Sequence, residues 1–216
     1  MMFLELFVPR GAFSPDDLPG LAGRLTLRQL LTHVDAIGDV VDASDQLIAN
    51  RGVMDFVESI SHVVVHEIGT WIAGGRLLGP AASPRCVARV YVPGPWRKAM
   101  SAFLVASITR ALAEAGPDPH RYYREPRVEV QVIGVPEGGY GTFGRVIGES
   151  ALLDMISEAR TGPPEPPCDP GVLIDPVCGM AASDTVAVLE HDGATYGFCS
   201  PGCRRHFADK LAMPTS

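Results

Sequence analysis

The sequence predicts an α+β fold made of two β-α-β units, followed by a small β-hairpin-helix domain that contains cysteines. In the second half of the chain, two segments rich in β-branched residues flank a segment with helical periodicity, and similar segments recur in the first half. Segment 161–171 (TGPPEPPCDPG) has five prolines in eleven residues, which argues against a helix or a central strand. We therefore expect a two-unit domain at 1–160, a linker at 161–171 and a small domain at 172–216.

The composition argues against several classes of partner. The net charge of −7 disfavours general nucleic-acid binding, which usually requires a basic face. The chain has no run of 18 apolar residues, so we expect no membrane insertion. Glu5 interrupts the apolar N-terminal run and no basic region precedes it, which favours a strand over a signal peptide. Five cysteines in such an acidic chain indicate a cytoplasmic protein, in which clustered thiols more often hold metal or carry out redox chemistry than form disulfides.

The first half of the chain contains the elements of one unit. FLELFVP (3–9) predicts a strand, and segment 14–31 predicts a helix with Ser14 as its N-cap. VMDFVESI (53–60) predicts an additional helical turn or two. SHVVVHEI (61–68) then predicts the second strand of the unit.

Two histidines of that second strand, His62 and His66, have the spacing of metal ligands on a helix. The three valines between them predict a strand instead, on which the two side chains share a face about 13 Å apart. One metal ion cannot bridge that distance, so we do not expect a metal site here.

The second half repeats the pattern. CVARVYVP (86–93) predicts a strand, and RVEVQVIGV (127–135) predicts another. Between them, segment 97–115 predicts a helix that Gly116 and Pro117 end. Its apolar residues fall on one face at the helical period: Met100, Phe103, Leu104, Ile108, Ala111 and Leu112.

Short internal similarities support two copies of one unit. WIAGGR (71–76) matches YGTFGR (140–145), and Val8-Pro9 matches Val92-Pro93. On these segments, roughly residues 2–158 resemble the tautomerase superfamily in its fused form.

This resemblance implies a four-stranded sheet with helices on one face. The other face carries residues such as Leu4, Leu6 and Val8, or the residues that alternate with them, and needs a partner. Fused tautomerase-like chains usually assemble as trimers, so the resemblance implies a homotrimer.

The resemblance also implies a catalytic site from which this chain departs. Family members use an N-terminal proline amine as the catalytic base or acid, and arginines hold the substrate carboxylate. Here Met2 or Met1 stands at that position, and Cys86 stands at the corresponding point of the second unit. A primary amine is a poorer base at neutral pH unless the site lowers its pKa, so we expect negligible tautomerase activity and assign no catalytic residue.

Four further residues of this body have open roles. Three arginines face either an anionic pocket or the surface and interfaces of the protein: Arg10, Arg76 and Arg145. Cys86, isolated at a strand start, is expected to be a small buried hydrophobic residue rather than a nucleophile.

The tail gathers three of the five cysteines, in the spacing Cys178-x20-Cys199-x3-Cys203. Between the first two, segment 186–198 predicts a hairpin with its turn at His191-Asp192-Gly193, which returns the chain to Cys178. A short helix follows, with Ser200 as its N-cap. Cys199 and Cys203 then lie at the helix start, where the helix dipole favours thiolate.

The tail resembles the YHS domain, a small module of the TRASH-like group, on DPVCGM (175–180), TYGFCS (195–200), Cys203 and Phe207. Such modules are proposed to bind metal ions, which implies the ligands Cys178, Cys199 and Cys203. The fourth ligand stays open between His206, Met180, Cys168 and no further ligand. Zinc usually takes four ligands, whereas a thioether such as that of Met180 suits copper(I).

Two classes of function follow from these observations, and a scaffold protein with structural zinc only is a third possibility. The first is a metal-binding protein that uses a thiolate site for sequestration, delivery or sensing of zinc or a soft metal such as copper. The alternative is a tautomerase-fold enzyme acting on small carboxylate or enol substrates, with a structural metal domain. The N-terminal methionines favour the first class, and metal content together with enzyme assays would separate the two.

Overall fold

The computed structural model describes residues 1–32, 50–78, 85–116, 118–162, 173–179, 181–182 and 187–212. The chain divides into two units. The first comprises Met1–Ala36 and Ile60–Val135, and the second comprises Ile37–Ser59 and Pro136–Ser216. The second unit therefore contains the cysteine-bearing tail together with the segment that precedes the proline-rich stretch.

The first unit is built on a four-stranded mixed sheet, which confirms the predicted α+β class. Its strands are β1 (Phe3–Pro9), β2 (His62–Ile68), β5 (Cys86–Pro93) and β6 (Val128–Val135), in the order β2-β1-β5-β6. β1 is parallel to β2, β5 is parallel to β6, and the two pairs meet antiparallel between β1 and β5. Two β-α-β units joined in this way are consistent with the tautomerase fold.

One face of this sheet is buried. Alternation along β1 places Leu4, Leu6 and Val8 on that face, fully buried, and β5 contributes Ala88 and Val90 in the same way. Helix α4 (Arg97–Glu114) packs against β5 and β6 and against the N-terminal helices. The predicted helix face is confirmed, since five of its six apolar residues are buried: Phe103, Leu104, Ile108, Ala111 and Leu112.

The opposite face of the sheet carries the alternate residues, half-buried and partly polar. Glu5 accepts a hydrogen bond from the Tyr91 hydroxyl at 3.0 Å and lies 3.1 Å from Nε2 of His66. The Arg89 guanidinium lies over the Phe7 ring at 5.2 Å. The face that needs a partner therefore carries the residues that alternate with Leu4, Leu6 and Val8. These three residues themselves lie on the covered face.

The single helix predicted over 14–31 is wrong. The structure has α1 (Leu18–Arg24) and α2 (Leu27–Leu31), and Ser14 instead closes a turn through its contacts with Asp17. Thr26 is extended (φ −64°, ψ 151°) and breaks the helix. Leu25 and Leu27 are both buried, although they would lie about 200° apart on a continuous helix, so the break allows both to reach the interior.

The repeated sequence segments form the same local structure. WIAGGR contains the hairpin of β3 (Ile72–Ala73) and β4 (Arg76–Leu77), and YGTFGR contains that of β7 (Gly141–Thr142) and β8 (Arg145–Val146). Both turns use two successive residues with positive φ, Gly74-Gly75 and Phe143-Gly144. The internal repeat predicted from the sequence is thus confirmed at these hairpins.

Most of the remaining elements belong to the second unit. Helix α3 (Arg51–Ser59), predicted as an extra helical turn or two, packs on α6 (Glu149–Ala159). The tail consists of short strands and a helix: β9 (Leu173–Ile174), β10 (Ala181–Ala182), β11 (Ala187–His191), β12 (Ala194–Phe198) and α7 (Pro201–Ala212). A short helix, α5 (Arg121–Arg124), belongs to the first unit. Within the described ranges, no helix is long and apolar enough to cross a bilayer.

Candidate metal centre

The hairpin of β11 and β12 brings two cysteines to the start of a helix, as predicted. Its turn residues Asp192 and Gly193 have φ of 50° and 76°, as a two-residue turn with Gly in second position requires. Cys199 follows β12 directly. Ser200 caps α7, because its Oγ accepts a hydrogen bond from the Cys203 amide at 3.2 Å.

Cys178 lies in the connection between β9 and β10, which pair with each other and pack against β12. The Gly179 amide donates to the Asp175 carbonyl at 2.8 Å, so the chain turns sharply at this cysteine. Gly179 has φ of 80°, a conformation that other residues rarely adopt. The turn directs Cys178 toward the end of β12.

Three sulfur atoms and one carboxylate converge at this point. Cys178 Sγ lies 3.4 Å from Cys199 Sγ, which lies 3.7 Å from Cys203 Sγ. Together with a carboxylate oxygen of Asp175, these atoms all lie within 4.8 Å of one another. Zn–S bonds of about 2.3 Å at the tetrahedral angle would separate the sulfurs by about 3.8 Å, so the spacing suits a thiolate-bound metal ion.

Asp175 was not a sequence-predicted ligand, and its carboxylate is fully buried at the centre of the cluster. Its Oδ1 accepts hydrogen bonds from the amides of Val177 (2.8 Å) and Cys178 (3.4 Å), and its Oδ2 accepts one from the Cys199 amide (2.9 Å). The bond to the Val177 amide closes an Asx turn, which the Asp-Pro pair at 175–176 could have signalled in the sequence. The bond to Cys199 spans 24 residues and has no such signal.

The pKa values of the three thiols are shifted in different directions. Hydrogen bonds from the Cys178 and Cys199 thiols lower the pKa of Cys203 well below its usual range. Hydrogen bonds to Cys199 and Cys203, followed by burial, raise the pKa of Cys178. The bond from Cys178 acts to lower the pKa of Cys199, but the bond to Cys203 and burial outweigh it and raise that pKa. These directions favour the thiolate form at Cys203 and the thiol form at Cys178 and Cys199.

The pKa of Asp175 is also shifted by burial and by nearby negative charge. Burial raises its pKa to about 6, and the charge on Cys203 adds to this effect, although the backbone amides of Cys199 and Val177 oppose it. A buried site with a carboxylate and three ionisable thiols favours a bound cation, because a cation would offset these unfavourable charges.

The structure does not bring His206 into this cluster. Its Nδ1 lies 3.0 Å from the Ser150 hydroxyl, and its Nε2 lies 3.3 Å from Asp154 Oδ1, outside hydrogen-bond geometry. Both partners are on α6, so the ring faces that helix. Two other candidate ligands, Met180 and Cys168, lie outside the described residues.

Helices α6 and α7 are joined by further polar contacts on the same faces. The Arg205 guanidinium lies 3.3 Å from Glu149 Oε2, and Lys210 forms an ion pair with Asp154. A Cβ at Gly202, in the first turn of α7, would lie 2.5 Å from Glu149 Oε1. Gly202 therefore permits this close approach beside Cys203.

Gly197 has a packing role on β12. Its neighbours Tyr196 and Phe198 both pack against Phe207 of α7 with tilted rings, whose centroids lie 5.0 and 5.4 Å away. On the opposite side, a Cβ at Gly197 would lie 2.5 Å from Leu173 Cβ and 2.9 Å from Ala182 Cβ. The glycine that interrupts the aromatic pair thus allows β9 and β10 to pack directly on β12.

The other candidates of the sequence lie in separate places. Cys86 is buried, as expected, and burial raises its pKa to about 12. His62 and His66 lie on a strand, as predicted, and His66 stacks on Phe7. Met1 is buried, and burial lowers the pKa of its amine to about 5. The three arginines of open role are exposed: Arg10, Arg76 and Arg145.

No protein-family model matches this chain, and no curated protein matches it. Its structural neighbours are tautomerase superfamily members of low identity. Pt0534, described as inactivated by 2-oxo-3-pentynoate, is 15% identical, with 67% of this chain and 94% of that chain covered and a TM-score of 0.45. A fused 4-OT described as an asymmetric trimer is 18% identical, with 67% and 94% covered and a TM-score of 0.44. A macrophage migration inhibitory factor-like protein from Entamoeba histolytica is 7% identical, with 68% and 98% covered and a TM-score of 0.43.

The close packing at Gly197 predicts that Gly197→Ala destabilises the tail by about 1–3 kcal/mol, the usual effect of overpacking a filled interior. The added methyl must displace Leu173 or Ala182, and with them the turn that carries Cys178. Chemical denaturation followed by tyrosine fluorescence and thiol reactivity measures the change. Thr195→Ala, at an exposed position of the same strand, is the matched control and should change stability by less than about 0.5 kcal/mol. Equal stability of the two variants would contradict the packing role of Gly197.

Proposed function

We propose that the protein binds one metal ion of the soft or borderline class through Cys178, Cys199 and Cys203, and that it functions in metal sequestration, delivery or sensing. The observation that carries this proposal is the convergence of three sulfur atoms and a carboxylate oxygen within 4.8 Å of one another. The ligands come from two segments of the chain that the hairpin and the cap of α7 bring together.

Packing alone does not account for this cluster. Free cysteines are readily buried as small hydrophobic residues, as Cys86 is. The tail cysteines instead contact one another and surround a fully buried carboxylate, an arrangement that opposes ionisation of more than one thiol. A cation replaces the thiol protons and offsets the buried negative charge, which is the chemistry of a thiolate metal site.

The donor set favours thiophilic metals over hard ones. Thiolates select zinc and copper(I), whereas magnesium and calcium prefer oxygen ligands. Zinc and copper are therefore the two metals that we propose. The YHS resemblance of the tail is part of the same proposal.

Exposure of the cluster supports exchange of the metal with solvent. Cys178 and Cys203 are 6% and 2% exposed, whereas Cys199 is only partly buried. An ion can therefore enter and leave on the side of Cys199. Sequestration, delivery and sensing of a metal all need such access.

We predict that the full chain, purified under reducing conditions, binds about one copper(I) or zinc ion. Each of Cys178→Ser, Cys199→Ser and Cys203→Ser should weaken binding by more than the roughly 10- to 100-fold typical of changes outside the ligand sphere. Elemental analysis and competition with a chromophoric chelator measure stoichiometry and affinity.

Cys86→Ser is the matched control for these variants, since Cys86 is a buried thiol outside the cluster. It should retain the wild-type stoichiometry. Wild-type stoichiometry in both the Cys199→Ser and Cys203→Ser proteins would contradict the metal site. His206→Gln tests the remaining described ligand candidate in the same assay.

Metal affinity should also depend on pH. The pKa values of Cys178 and Cys199 are raised and that of Cys203 is lowered, so binding to three thiolates near neutral pH should release about two protons. The apparent affinity should then fall by about 100-fold for each pH unit of acidification. Competition titrations corrected for the protonation of the chelator measure this slope, and a pH-independent affinity would argue against thiolate ligation.

We also propose that the chain is a cytoplasmic homotrimer. Reduced thiols are maintained in the cytoplasm. The open sheet face, which carries Phe3, Phe7 and Tyr91 at intermediate exposure, supports self-association.

Light scattering at micromolar concentration should therefore give the mass of three chains. Phe7→Arg should reduce this mass, because it places a charge on the open face. Tyr123→Arg, which replaces an exposed aromatic residue on α5, should not change it. A monomeric wild-type protein would contradict the assembly and leave the metal site unaffected.

A further inference from the structure

We propose that Asp175 is a positioning residue: its carboxylate ties the two cysteine-bearing segments together before a metal arrives, and the ion itself is held by the three sulfurs. This inference rests on the proposed function for its metal-binding part. Its structural part, the preorganisation of the thiols, concerns the metal-free protein.

The carboxylate contacts the backbone of both segments. Oδ1 accepts from the Val177 and Cys178 amides at 2.8 and 3.4 Å, and Oδ2 accepts from the Cys199 amide at 2.9 Å. Two of these three donors are the amides of cysteines that supply sulfur atoms. The carboxylate therefore fixes the main chain of Cys178 relative to that of Cys199.

These hydrogen bonds account for the short sulfur contact. Asp175 and Cys199 are 24 residues apart in the chain. The Sγ atoms of Cys178 and Cys199 nevertheless lie only 3.4 Å apart. Hydrogen bonds from amides to a carboxylate are stronger than those between neutral groups, and the residue that accepts these bonds is fully buried. The carboxylate thus opposes separation of the segments when no ion is present.

The same bonds limit Asp175 as a ligand. A carboxylate offers about four lone-pair sites, and the three amides occupy three of them. Ligation that disturbed any of these bonds would also disturb the backbone positions of the two cysteines. The role left to Asp175 is that of an oriented support, of the kind that metal sites commonly need around their ligands.

The experiment compares the full-length wild type with Asp175→Asn, using Cd(II) as the probe. Asparagine has nearly the same shape but cannot accept all three bonds, since one oxygen becomes an NH₂ donor that faces an amide. We expect about 10- to 100-fold weaker Cd(II) binding, from the loss of a hydrogen bond to a charged group, at unchanged stoichiometry. The ¹¹³Cd NMR shift should stay at the wild-type value, because the ligands are unchanged.

A metal-free measurement tests the positioning itself. Each protein is equilibrated with reduced and oxidised glutathione. In the exchange, a protein thiolate attacks oxidised glutathione and releases one glutathione, and the second protein thiol then displaces the other. The product is a protein disulfide and two reduced glutathiones. Peptide mass locates the disulfide between Cys178 and Cys199. The effective concentration of these two thiols should be about tenfold lower in Asp175→Asn than in the wild type.

Asp209→Asn is the matched control, since Asp209 is exposed on α7, and it should behave as the wild type in both measurements. If Asp175→Asn does not fold, Asp175→Ser replaces it. Serine keeps a turn to the Val177 amide but is too short to reach Cys199, so the same losses are expected.

Three results would overturn the inference. A changed ¹¹³Cd shift in a folded Asp175 variant would make Asp175 a ligand. Unchanged Cd(II) affinity would remove its role at the metal site, and an unchanged effective concentration would remove its role in positioning the thiols. If the wild type binds no Cd(II), the proposed function fails, while the glutathione measurement still decides whether Asp175 positions the cysteines.

Discussion

The tail depends on the carboxylate of Asp175, which binds two separate stretches of backbone from a fully buried position. A module of this size buries too little apolar surface to be held by packing alone, and polar contacts or metal usually supplement such a small core. The carboxylate binds the Cys199 amide just after β12, and Phe207 contacts Tyr196 and Phe198 within the strand. Between them they fix the strand end from which Cys199 projects.

Charge is the second constraint on the same site. Hydrogen bonds among the three thiols lower the pKa of Cys203, whereas the pKa values of Cys178 and Cys199 are raised. The hydrogen bond between the Ser200 and Cys203 side chains adds to the lowering of the Cys203 pKa, and the start of α7 favours a thiolate at the same place. The site is thus arranged for a cation, which would relieve the repulsion that burial creates.

The second unit connects this site to a helix of the chain that precedes the proline-rich segment. His206 and Lys210 approach Asp154, and Arg205 approaches Glu149, so one face of α7 is held by α6 while its first turn holds Cys203. A Cβ at Gly52 of α3 would clash with the Ala159 carbonyl at the end of α6, so α3 also approaches α6 closely. The tail is therefore not isolated from the rest of its unit.

Much of the structure followed from local sequence patterns. Strands β1 and β5 and helix α4 were predicted nearly to the residue, because alternation and helical periodicity are properties of adjacent positions. The Asp192-Gly193 turn and the Ser200 cap were predictable for the same reason, since each depends on only a few neighbouring residues. The break at Thr26 was not, because it serves the burial of Leu25 and Leu27 against partners distant in the chain.

The sequence by itself determined that three cysteines stand near one another, since their spacing and the hairpin between them are local. It also determined the four strands of the sheet, the long helix α4 and the hairpin of the tail. Only the tertiary structure decided that Asp175 lies among the sulfurs and that His206 faces α6. Both depend on contacts between residues far apart in the chain, the first across 24 positions and the second across 56. No local pattern encodes such contacts, because they arise from how separate segments pack.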